Sequence, residues 1–207
     1  MSSSGSNSGE WQSATSRSLL VRAGENDSAA WQRLVSLYSP LVYRWCRQAG
    51  LQRADAADVG QEVFQSVARG LASFRHRRPT DTFRGWLRTI TKNKIKDWRR
   101  RRPGELTGVP GLEQRAGAKS QHYELPEADD SLNQREAQMV VTRALQLIRR
   151  DFHERTWRAF EQVTLEGARA REAAERLGMS INAVYMARWR VLHRLREEFA
   201  DLLEVDF

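Results

Sequence analysis

The sequence predicts an all-α protein: two small helical domains joined by a flexible linker, the second carrying a helix-turn-helix. Three observations predict it. Apolar residues recur at spacings of three and four through most of the chain, as on helices with one buried face. No segment shows the apolar–polar alternation of a half-buried strand. Residues 103–130 hold Pro103, Pro110, Pro126 and four glycines with little periodicity, so they separate two periodic halves.

Each element follows from its residues. Residues 1–16 are rich in Ser, Gly and Asn and are expected to be a disordered tail. Residues 17–102 are expected to form the first domain. There Trp31, Leu34, Val35, Tyr38, Leu41, Val42, Trp45 and Ala49 share one helical side. Ser39-Pro40 resembles a cap followed by proline at the first helical position, which predicts two helices in succession. Gly50 suits a C-terminal cap. Asp55 is placed to cap the next helix, with Val59, Val63, Phe64, Val67 and Leu71 as its buried stripe. Asp81 or Thr82 can cap another, running to about Arg102, where Pro103 stops it. Helical patterning returns near Leu132 and continues to Phe199, so residues 131–207 form the second domain.

Composition narrows the function. The 207 residues carry 34 Lys+Arg against 26 Asp+Glu, a net charge of +8. Mean hydropathy is −0.67. No apolar run exceeds about four residues, against the roughly twenty that a membrane span needs. Met1-Ser-Ser-Ser-Gly has neither the basic flank nor the apolar stretch of a secretory signal, so a cytoplasmic location is expected. The single cysteine, Cys46, excludes an internal disulfide framework and a cysteine-based zinc cluster. No cofactor or metal is expected, and no enzymatic activity. The charge is concentrated: Arg75–Arg102 holds 12 basic and 2 acidic residues, more than the whole net excess. Such a segment is either a solvated face or a site for a polyanion, most often nucleic acid.

Within that segment Phe83, Trp86, Leu87, Ile90 and Trp98 fall on one helical side, and Arg88, Lys92, Lys96 and Arg99 on the other. The cationic row can track phosphates, with each contact releasing counterions. Asn93 at the border could hydrogen-bond a base edge. The preceding loop, with Arg75, Arg77 and Arg78, could shape a pocket for an unstacked base. Trp86 and Trp98 are expected in the core. On the helix from Asp55, the non-apolar side presents Asp58, Glu62, Gln65 and Arg69, with Gln61 and Asp55 beside them. That face can be a solvated surface, a dock for a basic protein, or a paired-carboxylate site.

The strongest local pattern runs from Arg171 to Arg190. Small Ala173 and Ala174 allow a close helix crossing, and Leu177 faces the core. Gly178 supplies the positive φ of a tight turn, and Ser180 caps the next helix. Ile181, Val184, Val191, Leu195 and Phe199 form its inward stripe. Asn182, Tyr185, Met186, Trp189, Arg190 and His193 point outward. Large aromatics facing out suit insertion into a DNA groove, while a structural helical hairpin is the plainer alternative.

Taken together, these motifs resemble the bacterial RNA polymerase sigma factors of the extracytoplasmic-function (ECF) group. Asp55-Ala-Ala-Asp-Val-Gly-Gln-Glu-Val-Phe64 resembles the family's polymerase-docking motif. Phe83 to Arg100 resembles its minus-ten recognition and melting helix, and Glu172 to Arg196 its minus-thirty-five reader. The resemblance implies that Asp55, Asp58, Gln61, Glu62 and Gln65 dock on core RNA polymerase. It assigns Arg75, Arg77, Arg78, Arg88, Lys92, Asn93, Lys96 and Arg99 to the minus-ten element of promoter DNA. Ser180, Asn182, Tyr185, Met186, Trp189 and Arg190 would serve the minus-thirty-five element. Those last positions usually carry small polar or basic residues in the family, so Tyr185, Met186 and Trp189 are departures. An anti-sigma factor is the further partner the resemblance suggests. The rival reading is a helix-turn-helix regulator that binds duplex DNA without docking on polymerase.

Overall fold

The structure, a computed structural model, describes residues 19–74, 82–101, 130–200 and 202–203. The expected tail, the loop bearing Arg75, Arg77, Arg78 and Asp81, and the linker up to residue 129 lie outside these residues. Every element among the described residues is helical. The order is α1 (Leu19–Gly24), α2 (Ser28–Gln48), α3 (Arg53–Gly70), α4 (Phe83–Arg101), α5 (Asp130–Ile148), α6 (Glu154–Phe160), α7 (Ala170–Leu177) and α8 (Ile181–Phe199). Short 3-10 turns follow α3 and α5, and a π-helical turn, Glu161–Leu165, extends α6.

Local chemistry sets most helix ends. Asp27 caps α2 by accepting from the N–H groups of Ala29 and Ala30 at 2.9 and 3.0 Å. The Ala30 bond first, and then the Arg22 guanidinium, hold its carboxyl below the usual carboxylate range. At the other end Gly50, at φ +87°, follows the cap residue Ala49. The Leu51 N–H reaches Cys46 O and the Gly50 N–H reaches Arg47 O, closing a Schellman motif. Thr82 caps α4, its hydroxyl accepting from Gly85 N–H at 3.0 Å.

Two expected boundaries differ. Ser39-Pro40 does not open a second helix: α2 runs 21 residues through Pro40. Proline has no N–H to give the Ser36 carbonyl four residues back. Arg143 of α5 supplies the missing donor, Nε to Ser36 O at 3.0 Å. Asp55 does not cap α3 either. Gln52 holds the cap position, and Asp55 sits in the first turn, where its charge faces the positive end of the helix.

The two helical halves pack against each other. Leu34, Leu37, Leu41 and Trp45 of α2, Val140, Ala144 and Ile148 of α5, and Val191, Leu195 and Phe199 of α8 belong to one continuous apolar core. Polar bridges cross the same boundary. Arg33 Nη2 donates to Glu198 Oε2 at 3.0 Å, and Tyr38 hydroxyl donates to Leu202 O at 3.3 Å. Cys46 is sealed in the core, and burial pushes its thiol up to about 12. A second, smaller core holds Ala159, Ala173, Ala174, Val184 and Ala187, where α6, α7 and α8 cross. The three alanines on α7 and α8 permit that close approach.

Candidate nucleic-acid interface

Three polar surfaces follow one another along the chain: the outer side of α3, the basic helix α4 and the outer side of α8.

Burying Ala56, Val59, Val63 and Val67 turns Asp58, Gln61 and Gln65 of α3 to solvent. Glu62 is half-buried and takes a bidentate contact from Arg101 Nη2 of α4, at 2.8 and 3.0 Å. Asp55 is also half-buried. Beside Gln61 and Gln65 opens a groove of about 580 Å³ between α2 and α3, lined by Trp31, Val35, Tyr43 and Phe64 among others. Trp31 meets Phe64 edge to face at 6.4 Å. The sequence places Trp31 and Val35 in the buried stripe of α2 and Phe64 in that of α3; the structure leaves all three half-buried on an open groove. The i, i+4, i+8 and i+12 spacing of Trp31, Val35, Ser39 and Tyr43 is the signal that could have revealed it.

On α4, Trp86 packs among Phe74 and Phe83 at 5.0 and 5.7 Å, and Trp98 is buried. Trp98 is thus in the core as expected, whereas Trp86 is half-buried and packs against the core's edge. The cationic row does not stay outward along its length. Arg88 Nη1 pairs with Glu136 Oε1 of α5 at 2.7 Å, and the side chains are only 15% and 2% exposed. Trp45 Nε1 donates to the same oxygen at 2.7 Å, and the Arg88 guanidinium lies 5.5 Å from the Trp45 ring centroid. Arg99 Nη2 donates to Ala49 O at 2.7 Å. Arg84 is buried as well, donating to Asn133 O at 2.6 Å. Arg88 and Arg99 are therefore turned to protein groups, because α5 and the end of α2 pass over their edge of the helix. Ile95, which the sequence sets near the polar side, is buried, and so is Thr91. The solvent face of α4 carries Thr89, Asn93, Lys96, Asp97 and Arg100, the last two paired at 3.7 Å, with Lys92 at its half-buried border. Thr89 and Arg100 are the members sequence reasoning missed; the wide buried arc, set by Thr91 and Ile95, is what shifts the face onto them.

The turn before α8 follows the sequence expectation. Gly178 is left-handed at φ +59°, with Met179 N–H on Ala174 O at 2.9 Å. Ser180 Oγ accepts from Ala183 N–H at 3.1 Å, so its hydroxyl serves as the helix cap. Val184, Ala187, Val191, Leu195 and Phe199 are buried. Ile181 is not on the inward stripe: it is exposed, because the smaller core is closed by Val184 one turn on. Asn182, Tyr185, Met186, Trp189, Arg190 and His193 are exposed as expected, and Arg188 is exposed beside them. Among the described residues no group of three or more His, Cys, Asp or Glu could hold a metal, and no helix is long and apolar enough to cross a membrane.

Comparison with known proteins gives these surfaces a family. A Sigma-70 region 2 model matches residues 34–103, from within α2 through α4. The ECF RNA polymerase sigma factor ShbA of Streptomyces griseus is 30% identical over 190 residues, covering 86% of this chain and 92% of ShbA. The chain belongs to the ECF RNA polymerase sigma factors. A shorter match joins this sigma factor to SigE of Mycolicibacterium smegmatis, 36% identical over 73 residues, 35% of this chain and 27% of SigE. Among solved structures, an RsbN–BldN complex aligns at 20% identity and TM-score 0.35, covering 85% of this sigma factor and 96% of that chain. CnrH in complex with the cytosolic domain of CnrY aligns at 21% identity and TM-score 0.35, covering 86% and 92%.

Proposed function

We propose that this sigma factor docks on core RNA polymerase in the cytoplasm through the outer side of α3, and reads promoter DNA with α4 and α8. Residues 17–102 act as region 2 and residues 131–207 as region 4. The observation that carries the reading is that one chain exposes an acidic-amide face, a basic face and an aromatic-basic face on three separate helices. A regulator bound to duplex DNA alone has no use for the first two.

Asp58, Gln61 and Gln65 make the polar part of the polymerase dock, and Trp31, Tyr43 and Phe64 in the adjoining groove make its apolar part. Asn93 and Lys96 on the solvent face of α4, with Lys92 at its border, approach the melted minus-ten strand, helped by Arg75, Arg77 and Arg78. Arg88 and Arg99 join them once their present partners let go. Opening the duplex costs a few kcal/mol per extruded base. Stacking and pocket contacts return roughly 1–3 kcal/mol per base. The chain contributes position and choice; bond making belongs to the polymerase.

Simultaneous reading of the two elements requires α5 and α8 to leave α2. Elements centred near minus ten and minus thirty-five lie about 85 Å apart at roughly 3.4 Å per base pair. A chain of this length packed as one body measures on the order of 45 Å across. The segment between α4 and α5 then acts as a tether, and the two readers reinforce each other only at a permitted promoter spacing.

The test is run-off transcription by purified bacterial core polymerase on a promoter library, with and without the sigma factor. Reversing the dock with Asp58→Lys and Gln61→Lys should abolish co-purification with core polymerase and leave the helical circular-dichroism spectrum intact. Undiminished co-purification would show that α3 is not the dock.

A further inference from the structure

Among the described residues, four of the seven exposed large apolar side chains gather in one place. Val21, Tyr43 and Leu165 lie elsewhere, but Ile181, Tyr185, Met186 and Trp189 share the outer side of α8, at 44%, 55%, 40% and 55% exposure. Ile181, Tyr185 and Trp189 follow one another at intervals of four, and Met186 lies alongside. The strip extends about 12 Å along the first turns of the helix, at 1.5 Å per residue. Its inner side is already closed by Val184 and Ala187, so the strip contributes nothing to the core.

The strip has a cationic frame. Arg188 and Arg190 are exposed on either side of Trp189, while Arg171, Arg176 and Arg194 of the same segment pair with carboxylates. A protein partner with an apolar cleft would gain little from such a frame, whereas a polyanion would gain much. Trp189 is also held in place: its ring stacks on His193 at 4.8 Å and 8°, and His193 Nε2 lies 3.3 Å from Glu197 Oε1. The surface is thus an apolar ridge flanked by Arg188 and Arg190, with Trp189 braced by His193.

The major groove of DNA admits such a helix and offers one apolar group, the C5-methyl of thymine. Asn182, one turn before Met186 and exposed, carries the amide that pairs bidentately with adenine N6 and N7. We infer that α8 selects A·T pairs in its upstream element by packing Tyr185 and Met186 on thymine methyls, with Asn182 on adenine and Trp189 bracing the helix in the groove. The inference rests on α8 being the duplex reader proposed above. It assigns a chemical preference to positions where the family usually carries small polar or basic side chains.

Removing the methyl and nothing else is the decisive experiment. Holoenzyme reconstituted with bacterial core polymerase is used to select upstream elements from a randomised library, with the minus-ten element kept constant. Each thymine of the selected element is then replaced by deoxyuridine. Binding should weaken about fourfold for every contacted methyl, the value of one buried carbon group. Met186→Ala and Tyr185→Ala should each bring the thymine-to-uracil ratio at one position close to one. Equal binding of thymine and uracil at every position would overturn the methyl reading, as would selected elements lacking thymine on both strands. Those results would leave the polymerase-docking reading standing. Failure to form holoenzyme would instead remove that reading, and this inference with it.

Discussion

Helices α4 and α8 are each 19 residues long and both look basic, yet the arginines of their proposed DNA-reading stretches are held differently. On α4, Arg84, Arg88 and Arg99 are drawn onto Asn133 O, Glu136 and Ala49 O. On α8, Arg188 and Arg190 stand in solvent beside exposed aromatics. The helical period fixes the direction in which a side chain leaves its helix. It does not fix what another element brings to that direction. Among the described residues the outer side of the first half of α8 stays exposed, whereas α5 brings Asn133 O and the Glu136 carboxylate to the edge of α4. A positive charge on a helix is therefore available to a ligand only where the tertiary structure leaves it uncovered.

The largest effect should come from breaking that coverage. Glu136→Ala removes the partner of a buried guanidinium and the acceptor of Trp45 Nε1 together. Stripping one member from a buried pair leaves an uncompensated charge, and about 3–5 kcal/mol of stability should be lost in urea unfolding. Glu136→Gln keeps an acceptor for Trp45 and should lose less. A Glu136→Ala change within about 0.5 kcal/mol, the range of ordinary surface substitutions, would mean Arg88 is as uncovered as Arg190.

The α8 side depends on its turn. A side chain at Gly178 must adopt the left-handed region, at about 1–2 kcal/mol for a non-glycine residue. Its Cβ would also stand 3.4 Å from Arg155 Nη2, which donates to the carbonyls of Leu177 and Gly178. Gly178→Ala should lower the unfolding free energy by about that amount and weaken upstream-element binding while leaving co-purification with core polymerase intact. Loss of polymerase association in this variant would show that the two halves are energetically inseparable.

The same contrast explains which features were legible in the sequence. The helix-turn-helix could be read almost entire, since Ala173, Ala174, Gly178 and Ser180 act on neighbours within one or two turns. The buried stripe of α3 and the Thr82 cap are equally local. What escaped is long-range. Pro40 stays inside α2 because Arg143, 107 residues from Ser36, fills the vacant carbonyl. Arg88 turns inward because of Glu136, 48 residues on. Trp31 and Val35 looked like core because periodicity cannot distinguish a closed helix contact from an open groove. Only the burial of Ile95 and Thr91 showed that α4 presents a narrower cationic face than its composition suggests.

The smallest expected change in stability gives the sharpest comparison. Arg190 is exposed on α8, so Arg190→Gln should alter unfolding free energy by no more than about 0.5 kcal/mol. If its guanidinium meets a phosphate, the same substitution should lower the slope of log binding constant against log salt by about one for holoenzyme on promoter DNA. Stability and salt dependence then separate cleanly: unchanged folding with a reduced slope marks a charge kept for the ligand. Reduced stability with an unchanged slope would put Arg190 in the same condition as Arg88, held by the protein itself, and the distinction between the two basic helices would vanish.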